Sequence, residues 1–337
     1  MAQILSTFGG CLLCTAIGFA EVHVVEIEVP TFDRWMYPFN ASVGDRESAS
    51  TFSSVGSGYE QFDDRDGQIL MSFATAGIVE TDLGMNRYSV IEATIEITLS
   101  NENLIFDATS DPWQTYLPEG GEEDTDLGRP IELFGAAFRG GFDGWTFGET
   151  GPFPFGAARR ERNVYPLSFT DGIGATDASN NVLDQFDPAP FAVGVAQGID
   201  VGQPMPSETV IRFSVEVHEP DIQCYIRDSL NNGLVSFVLT SLHEAQQPGV
   251  RGLLQPAFHM KESWLVYYGI ADAAQLSLVV DVSESTPEDL NGDGVVNVED
   301  LLIALADWGI CTCCQSDIDS DGEVNINDLL GIIAAWG

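Results

Sequence analysis

Basic residues are scarce in this chain of 337 residues: 13 Lys and Arg stand against 52 Asp and Glu, and Lys261 is the single lysine. The formal net charge at pH 7 is −39. A field of that sign repels phosphate backbones and anionic lipid headgroups, so we expect neither nucleic acid nor a membrane surface as a partner. We expect most of the excess to be a solvated surface suited to a salty exterior, with metal ligation explaining a local part.

The N-terminus lacks a basic n-region, yet residues 1–20 have the other features of an export signal. The apolar run from Ile4 to Ala20 ends in Gly18-Phe19-Ala20, the small-x-small pattern that signal peptidase requires. The run is near the lower limit for a membrane span and contains Gly, Ser and Thr, which favours cleavage near Glu21 over an anchor. The sequence therefore predicts a secreted or cell-surface protein with no membrane insertion after cleavage.

Cysteine is also rare, and Cys11 and Cys14 would leave with the signal. In an oxidising compartment the remaining four favour up to two disulfides, with the pairing left open. A soft-metal site at the clustered cysteines is the less favoured alternative, because no paired histidine lies near. The disulfide candidates are Cys224, Cys311, Cys313 and Cys314.

Helical periodicity is nearly absent from Glu21 to Val282, where short apolar runs alternate with Gly, Pro, Asn and Asp clusters. The clearest strand is Val90 to Leu99, whose predicted buried face is Ile91, Ala93, Ile95, Ile97 and Leu99. Further strands are predicted at Val22–Val29, Ile69–Phe73, Ile211–Val217, Val235–Leu239, Trp264–Tyr268 and Leu276–Val282.

No repeat of propeller-blade length is present, so the sequence predicts a mainly β fold: a β-sandwich or jelly roll with long loop insertions, plus a small α-helical C-terminal module. The predicted divisions are a signal peptide (1–20), the β body (21–282), a polar linker (283–288) and the C-terminal module (289–337).

A loop-rich stretch between Asp107 and Asn163 carries the residues we consider for ligand binding. Sugar recognition needs exposed aromatic faces flanked by polar groups. The alternative is that these rings bury themselves to hold the loop. The candidates are Trp113 and Tyr116 in one cluster, and Asp143, Trp145, Phe147, Phe153, Phe155, Arg159 and Arg160 in another, whereas Trp35 and Trp264 are expected in the core.

Catalytic motifs are missing. The histidines, His23, His218, His243 and His259, form no metal-spaced pair, and neither Gly-x-Ser-x-Gly nor His-Glu-x-x-His occurs. The 52 acidic residues supply many candidate carboxylate pairs and no basis for choosing one, so the catalytic residues are left unassigned. We therefore rank an enzyme below a binding module.

The strongest motif is a duplicated acidic segment near the C-terminus. The segment that starts at Asp289 recurs in register at Asp317, with Gly294 and Gly322 at the sixth position of each copy. Calcium takes six to eight oxygens, and a twelve-residue loop supplies them from positions 1, 3, 5, 7, 9 and 12 around a glycine at position 6. The sequence predicts two calcium ions, with the ligands Asp289, Asn291, Asp293, Val295, Asn297 and Asp300 in the first loop and Asp317, Asp319, Asp321, Glu323, Asn325 and Asp328 in the second.

A helix is predicted after each loop, at Val298–Trp308 and Ile326–Trp336, with Leu301, Leu302 and Leu305 matching Leu329, Leu330 and Ile333. Helices this short are unstable alone in water, and we expect them to bury their apolar faces against one another. The loop carboxylates repel one another without a cation, so calcium should supply part of the folding free energy.

One helix per loop, Asp at position 12, and duplication at the C-terminus of an exported chain make 289–337 resemble the dockerin family. The cysteine-containing linker between the two copies and the Trp-Gly that ends each copy resemble the dockerin-like tails of secreted planctomycete proteins. The resemblance implies a calcium-dependent module that docks into a cohesin-like receptor and tethers carbohydrate-binding modules or polysaccharide-degrading enzymes. Val298-Glu299 and Ile326-Asn327 stand where cellulosomal dockerins commonly carry Ser-Thr.

The body more weakly resembles DNRLRE-type jelly-roll modules, through Arg65 in Phe62-Asp-Asp-Arg-Asp-Gly-Gln and the strands that follow. That resemblance implies polysaccharide binding. The sequence therefore predicts a secreted calcium-binding protein whose body binds carbohydrate or serves attachment. A tethered glycoside hydrolase or lyase and a purely structural surface protein are the alternatives.

Overall fold

The structure is a computed structural model, and it describes residues 21–37, 44–57, 61–153, 158–170, 174–245, 254–311, 314–319 and 321–337. The predicted signal, with Cys11 and Cys14, lies outside these ranges, as do Phe155 and Cys313. The described part of the chain is mainly β, as the sequence predicted. In chain order the strands are β1 Glu21–Ile27, β2 Phe32–Met36, β3 Ser48–Ser50, β4 Phe52–Ser53, β5 Arg65–Ala74, β6 Tyr88–Thr98, β7 Leu104–Ile105, β8 Ile131–Phe138, β9 Val164–Thr170, β10 Gly174–Asp177, β11 Ala192–Val193, β12 Val195–Ala196, β13 Pro204–Met205, β14 Val210–Ser214, β15 Leu234–Ser241, β16 Ala257–His259, β17 Gln275–Val282, β18 Gly309–Ile310 and β19 Glu323–Val324.

Two antiparallel sheets form the body. The first has the order β1-β17-β6-β14-β12, and the second has the order β10-β9-β8-β15-β5-β2, with β11 pairing β8 and β4 pairing β5. The first strand of the described chain pairs with the last strand of the body, in a register that joins Glu21 to Val282 and Ile27 to Leu276. The two ends of 21–282 therefore lie on neighbouring strands of this sheet.

The two sheets face each other across one apolar core. It includes Ile95, Phe213 and Leu278 from the first sheet and Met71 and Phe237 from the second. Alternating side chains of the two inner faces fill this layer, which is the packing expected of a β-sandwich.

A bulge in β6 corrects the predicted alternation of that strand. The register along β17 shifts between Val279, which pairs Glu92, and Val280, which pairs Val90, so that Ile91 falls between them. An extra residue in one strand reverses the face of everything before it. Ile91 is therefore exposed, contrary to prediction, whereas Tyr88 and Val90 are buried with Ala93, Ile95 and Ile97.

The outer face of the second sheet carries a smaller apolar core. Leu70 and Val238 point away from the main core and pack with Met36, Val164 and Phe147. Strands β5 and β15 are thus buried on both faces, and the aromatic loop after β8 covers the outer one. This arrangement explains why the alternation of a one-sided strand is missing from their sequences.

Helices are short except in three places. They are α1 Gly144–Phe147, α2 Asn181–Asp184, α3 Pro220–Asn231, α4 Trp264–Tyr267, α5 Val298–Ala306 and α6 Ile326–Ala334, with 3-10 turns at Met85–Arg87, Trp113–Tyr116 and Ala178–Asn180. The sequence reasoning missed α3, although Pro220 at its start and the buried spacing of Ile222, Ile226 and Leu230 signal it. No helix in the described ranges is long and apolar enough to cross a membrane.

The strand predicted at Trp264–Tyr268 is wrong. The chain forms α4 there, because the Ser263 side chain caps the turn by accepting a hydrogen bond from Leu265 N at 3.3 Å. Strand β14 is also shorter than predicted and ends at Ser214, although Val215 and Val217 beyond it stay buried.

The C-terminal segment has an apolar core of its own. Buried Leu290, Val296, Ala304, Val324 and Ile332 form it, and all of them lie after the predicted linker. The linker contacts the body, since Arg87 Nε donates to Ser283 O and Asn86 Nδ2 donates to Pro287 O, both at 2.5 Å.

Candidate functional site

The first acidic loop is closed by two buried carboxylates at its ends. Asp289 accepts backbone hydrogen bonds from Asp293 N at 3.2 Å and from Gly294 N at 2.8 Å. Asp300 accepts from Leu290 N and from Asn297 N, both at 2.8 Å. Position 12 therefore ties the start of the loop to its end.

The second loop repeats this arrangement residue for residue. Asp317 accepts from Asp321 N at 3.1 Å and from Gly322 N at 2.9 Å. Asp328 accepts from Ile318 N at 2.7 Å and from Asn325 N at 2.8 Å. Gly294 and Gly322 have φ of +85° and +89°, the backbone conformation that favours glycine at the sixth position.

The ninth residue of each loop begins the helix that follows. The side chain of Asn297 accepts from Glu299 N and that of Asn325 accepts from Asn327 N, both at 2.8 Å. Asp300 and Asp328 complete capping boxes with these asparagines. The carboxylate at position 12 thus belongs to both the loop and the helix, so an ion bound in the loop would be coupled to helix formation.

The donor set fits a hard divalent cation. One carboxylate oxygen each from Asp317, Asp319 and Asp328 lie within 4.8 Å of one another, and oxygens that share a calcium ion at about 2.3–2.6 Å lie within about 5 Å of each other. Burial raises the pKa of Asp317 above its ordinary value, and the nearby charges of Asp328 and Asp321 raise it further. A cation would relieve both effects.

The remaining predicted ligands lie in the same loops. In the first loop Asn291 replaces a carboxylate, and its Oδ1 accepts from Asp293 N at 2.9 Å. The carbonyls at position 7, Val295 O and Glu323 O, each accept from the asparagine side chain at position 9 at 3.1 Å. Every predicted ligand is therefore placed around one of the two loops.

Helices α5 and α6, which follow the two loops, leave several apolar side chains exposed. Ala304, Leu329 and Ile332 are buried in the core that the two helices share. The expectation that the apolar faces are buried only against one another is nevertheless wrong, because a nine-residue helix pair is too small to cover all of its circumference. The exposed residues, at about half of their surface each, recur at equivalent positions: Val298, Leu302, Leu305 and Trp308 from the first copy, and Ile326, Leu330, Ile333 and Trp336 from the second.

The aromatic cluster between 142 and 153 packs on the second sheet instead of forming a groove. Phe147 is 1% exposed, and the Arg34 guanidinium lies 4.6 Å from its ring centre, so it offers no face to a ligand. Phe153 packs on the same core, with Arg162 5.4 Å from its ring centre. These two candidates are corrected to core residues, because the outer face of the sheet has to be covered.

The polar members of that cluster have local partners. Asp143 caps α1, and its hydrogen bonds from Thr146 lower the pKa of its carboxyl. Arg159 Nε donates to Phe62 O at 2.9 Å, and Arg160 pairs with Asp184. Trp145 is exposed, but its Nε1 donates to Asn232 O at 3.1 Å, away from Arg159's partners. The cluster is therefore not brought together as one site.

Tyr116 lines a cleft of about 490 Å³ in the body, together with Arg129 and His243. Burial lowers the pKa of His243 to about 3, so its imidazole is neutral near pH 7. Its buried Nδ1 has no hydrogen-bond partner within the described ranges. Trp113 lies on the same 3-10 turn, where its backbone N donates to Asp187 Oδ1 at 2.6 Å, and it is not among the lining residues.

An exposed aromatic patch on α4 was missed by the sequence reasoning. Trp264, expected in the core, is 54% exposed, and Tyr267 and Tyr268 are 82% and 67% exposed. The ring centres of Trp264 and Tyr268 are 6.3 Å apart, and those of Tyr267 and Tyr268 are 5.1 Å apart. The signal that could have found the patch is Ser263 at the position of a helix cap.

The segment that resembles a DNRLRE module forms a buried ion network. Arg65 pairs with Glu132 at 2.7 Å, and Arg162 pairs with Asp63 at 2.6 Å and with Asp66. All five side chains are at most 4% exposed. The network joins β5 to the chain before β9 and has no surface for a ligand.

Three of the disulfide candidates are disulfide-bonded in the structure. Cys311 and Cys314 form a disulfide within the C-terminal module, and both pack against its core. Cys224 in α3 is also disulfide-bonded.

No protein-family model matches this chain, and a search of curated proteins returns no significant match.

Proposed function

We propose that this protein is an exported calcium-binding attachment protein, in which the duplicated loops of 289–337 form a dockerin-like module and the β body carries the ligand surface. The observation that carries the proposal is the equivalence of the two loops. Asp289 and Asp317, and likewise Asp300 and Asp328, accept matching sets of backbone hydrogen bonds.

Attachment is supported by the exposed apolar rows on α5 and α6. Leu302 and Leu330 are 59% and 55% exposed at equivalent positions of the two copies. Apolar surface kept in water on a charged protein marks an interaction site. The partner it fits is a receptor with an apolar docking face, such as a cohesin-like domain.

Calcium titration of the full chain by calorimetry tests the module. The expected result is that Asp289→Ala with Asp317→Ala removes two bound ions and the calcium-induced gain of helix seen by circular dichroism. Asp272→Ala, at an exposed acid of the body, is the matched control and should leave both unchanged. An unchanged ion count in the double variant would overturn the proposed module.

The docking face is tested separately with a panel of purified cohesin domains. Leu302→Glu with Leu330→Glu should abolish capture in calcium while leaving the ion count intact, because both side chains are exposed and neither residue is a predicted calcium ligand. Capture that survives this double substitution would show that the receptor uses another surface. Capture that is equal in calcium and in a chelator would contradict a calcium-dependent module.

For the body, we propose glycan binding at the aromatic patch on α4. Exposed aromatic faces stack on sugar rings, and Trp264, Tyr267 and Tyr268 are exposed and adjacent. The cleft is less suited to stacking, because the Arg129 guanidinium lies 4.2 Å from the centre of the Tyr116 ring and covers one face. Among the described residues that line the cleft, Glu244 is the single carboxylate, which favours binding over hydrolysis by a carboxylate pair.

Pull-down on insoluble polysaccharides compares the wild type with Trp264→Ala plus Tyr267→Ala. Loss of about 1–3 kcal/mol of binding free energy, or roughly 5- to 150-fold in affinity, is expected for removing stacked rings. Trp145→Ala is the control, since that ring is similarly exposed outside the patch. Equal affinity of all three proteins would exclude the patch, and no affinity of the wild type for any glycan would favour the structural alternative.

A further inference from the structure

The loop between β7 and β8 brings three carboxylates of the body together. One oxygen each from Asp107, Asp111 and Asp126 lie within 4.8 Å of one another. Oxygens that share one calcium ion at about 2.3–2.6 Å are separated by at most about 5 Å, so the spacing admits a single ion between them.

One of these carboxylates, Asp107, is buried and has an oxygen without a hydrogen-bond partner in the described chain. Asp107 is 3% exposed. Its Oδ1 accepts from Thr109 N and from Thr109 Oγ1, both at 3.0 Å, whereas its Oδ2 is buried and has no hydrogen-bond partner in the described chain. A buried anionic oxygen without a partner carries a large desolvation cost, which a cation at the cluster would remove.

The Thr109 hydroxyl lies between two of the carboxylates. Its Oγ1 is 3.0 Å from Asp107 Oδ1 and 3.2 Å from Asp126 Oδ2. A hydroxyl has one proton, so it can satisfy only one of them. The other contact places two oxygen lone pairs against each other, and a cation bound to that carboxylate would reduce the repulsion between them.

Arg129, the basic residue beside the cluster, leaves one oxygen of Asp111 available to an ion. Arg129 Nη1 lies 2.8 Å from Asp111 Oδ2 and 2.8 Å from Asp124 Oδ2. The Tyr116 hydroxyl also donates to Asp111 Oδ2, at 3.1 Å. Both bonds that Asp111 accepts from the described residues therefore go to Oδ2, and Asp111 Oδ1 remains free for an ion. Four carboxylates against one guanidinium leave a local excess of three negative charges.

We propose that Asp107, Asp111 and Asp126 form a third calcium site, located in the β body and independent of the two C-terminal loops. A flexible set of carboxylate oxygens suits calcium better than magnesium, which demands near-ideal octahedral geometry and keeps most of its water. The ion would hold the two ends of the segment between Asp107 and Asp126 together. Tyr116 and Arg129, which both bond to Asp111, line the cleft, so the ion would also fix one wall of it.

The experiment uses the full chain with Asp289→Ala and Asp317→Ala, in which the C-terminal loops no longer bind. Calorimetry should find one remaining calcium ion. Terbium in place of calcium should luminesce when tyrosine is excited, because the Tyr116 hydroxyl is 3.1 Å from an Asp111 oxygen. Adding Asp126→Asn should weaken the remaining site at least tenfold, and adding Asp107→Asn should abolish it.

The exposed Asp126 makes this test independent of folding, since its substitution opens no cavity. Asp200→Asn, at another exposed acid, is the control and should leave the affinity unchanged. The proposal is overturned if the loop-deficient chain binds no calcium at 5 mM, or if Asp126→Asn and Asp200→Asn bind it equally. Failure of the C-terminal module would be visible separately, as an equal ion count in the wild-type and loop-deficient chains.

Discussion

Asp300 and Asp328 occupy equivalent positions twenty-eight residues apart, and each closes its own loop by accepting one backbone hydrogen bond from the second residue and one from the ninth. Both carboxylates are at most 1% exposed. Each also completes the cap of the helix that follows it. A buried anion with these two roles links the loop to the helix, so that an ion bound in the loop would stabilise both.

Replacing one of these carboxylates should uncouple one half of the module. Asp328→Ala is expected to lose one calcium ion and the capping box of α6. Saturating calcium at about 100 times its Kd stabilises a protein by about 2.7 kcal/mol per site, so much of the calcium-dependent rise in Tm should disappear. Differential scanning calorimetry in calcium and in chelator measures the change. Asn327→Ala, at the exposed neighbour, is the control, and equal calcium-dependent shifts in the two variants would contradict the coupling.

Removing Arg162 should destabilise the body strongly. Its guanidinium pairs with Asp63 and Asp66, and all three side chains are buried. Arg162→Leu leaves two buried anions without their cation, a change that typically costs about 3–5 kcal/mol. Urea unfolding measures the free energy of unfolding. Arg212→Leu removes a half-exposed arginine from a 3.5 Å pair with Glu96 and should cost about 0–1 kcal/mol. Similar losses for both variants would mean that the buried network contributes little.

Acid should stabilise the body through Asp33. Burial raises the pKa of Asp33 to about 6, although Lys261 N donates to its Oδ2 at 2.8 Å, and burial raises the pKa of the neighbouring Glu262 to about 7. A carboxyl whose pKa is higher in the folded state contributes stability that is present below its unfolded pKa and lost as the pH rises through the folded pKa. The window therefore runs from about pH 4 to pH 7.

The Asp33→Asn variant isolates this contribution, because the amide keeps the shape and cannot titrate. Between pH 4 and pH 7 the wild type should lose stability relative to Asp33→Asn, as followed by Tm at each pH. Glu28→Gln, at an exposed acid, controls for the general relief of repulsion in a chain of net charge −39. Wild-type and Asp33→Asn curves that run parallel over this range would refute the assignment.

Because of the bulge in β6, we expect substitutions of Ile95 and Ile91 to differ in their effect on stability, although the alternating pattern places both residues on the same face. Ile95→Ala should cost about 2–5 kcal/mol because its side chain is fully buried between the sheets. Ile91→Ala should change the free energy of unfolding by less than about 0.5 kcal/mol, because Ile91 lies at the bulge and is 49% exposed. Chemical unfolding of the two variants in parallel checks this, and comparable losses would place Ile91 in the core.

The mainly β fold and most of its strands could be predicted because strand alternation is a local property. In strands such as Leu276 to Val282 every second residue is buried, and this alternation is visible in the residues of the strand alone. The helix α3 also had a local signal in the spacing of its apolar residues, but a single twelve-residue helix stands out weakly in a chain dominated by strand alternation. The prediction for Trp264 was wrong for a different reason. A helix of four residues is too short to show a helical period, so only the capping residue Ser263 indicates the turn on which the Trp264 ring is exposed.

The sequence by itself determined the residues of the two C-terminal loops, because all of the ligands of a twelve-residue loop lie within that loop. It could not determine whether the Phe147 ring is buried. That depends on the outer face of β5 and β15, two strands that are distant in the chain. The same holds for Asp107, Asp111 and Asp126, whose types were visible but whose convergence depended on how the loop folds against β8. Local chemistry is encoded in short segments, whereas burial and convergence belong to the packed whole, because each depends on atoms contributed by remote parts of the chain.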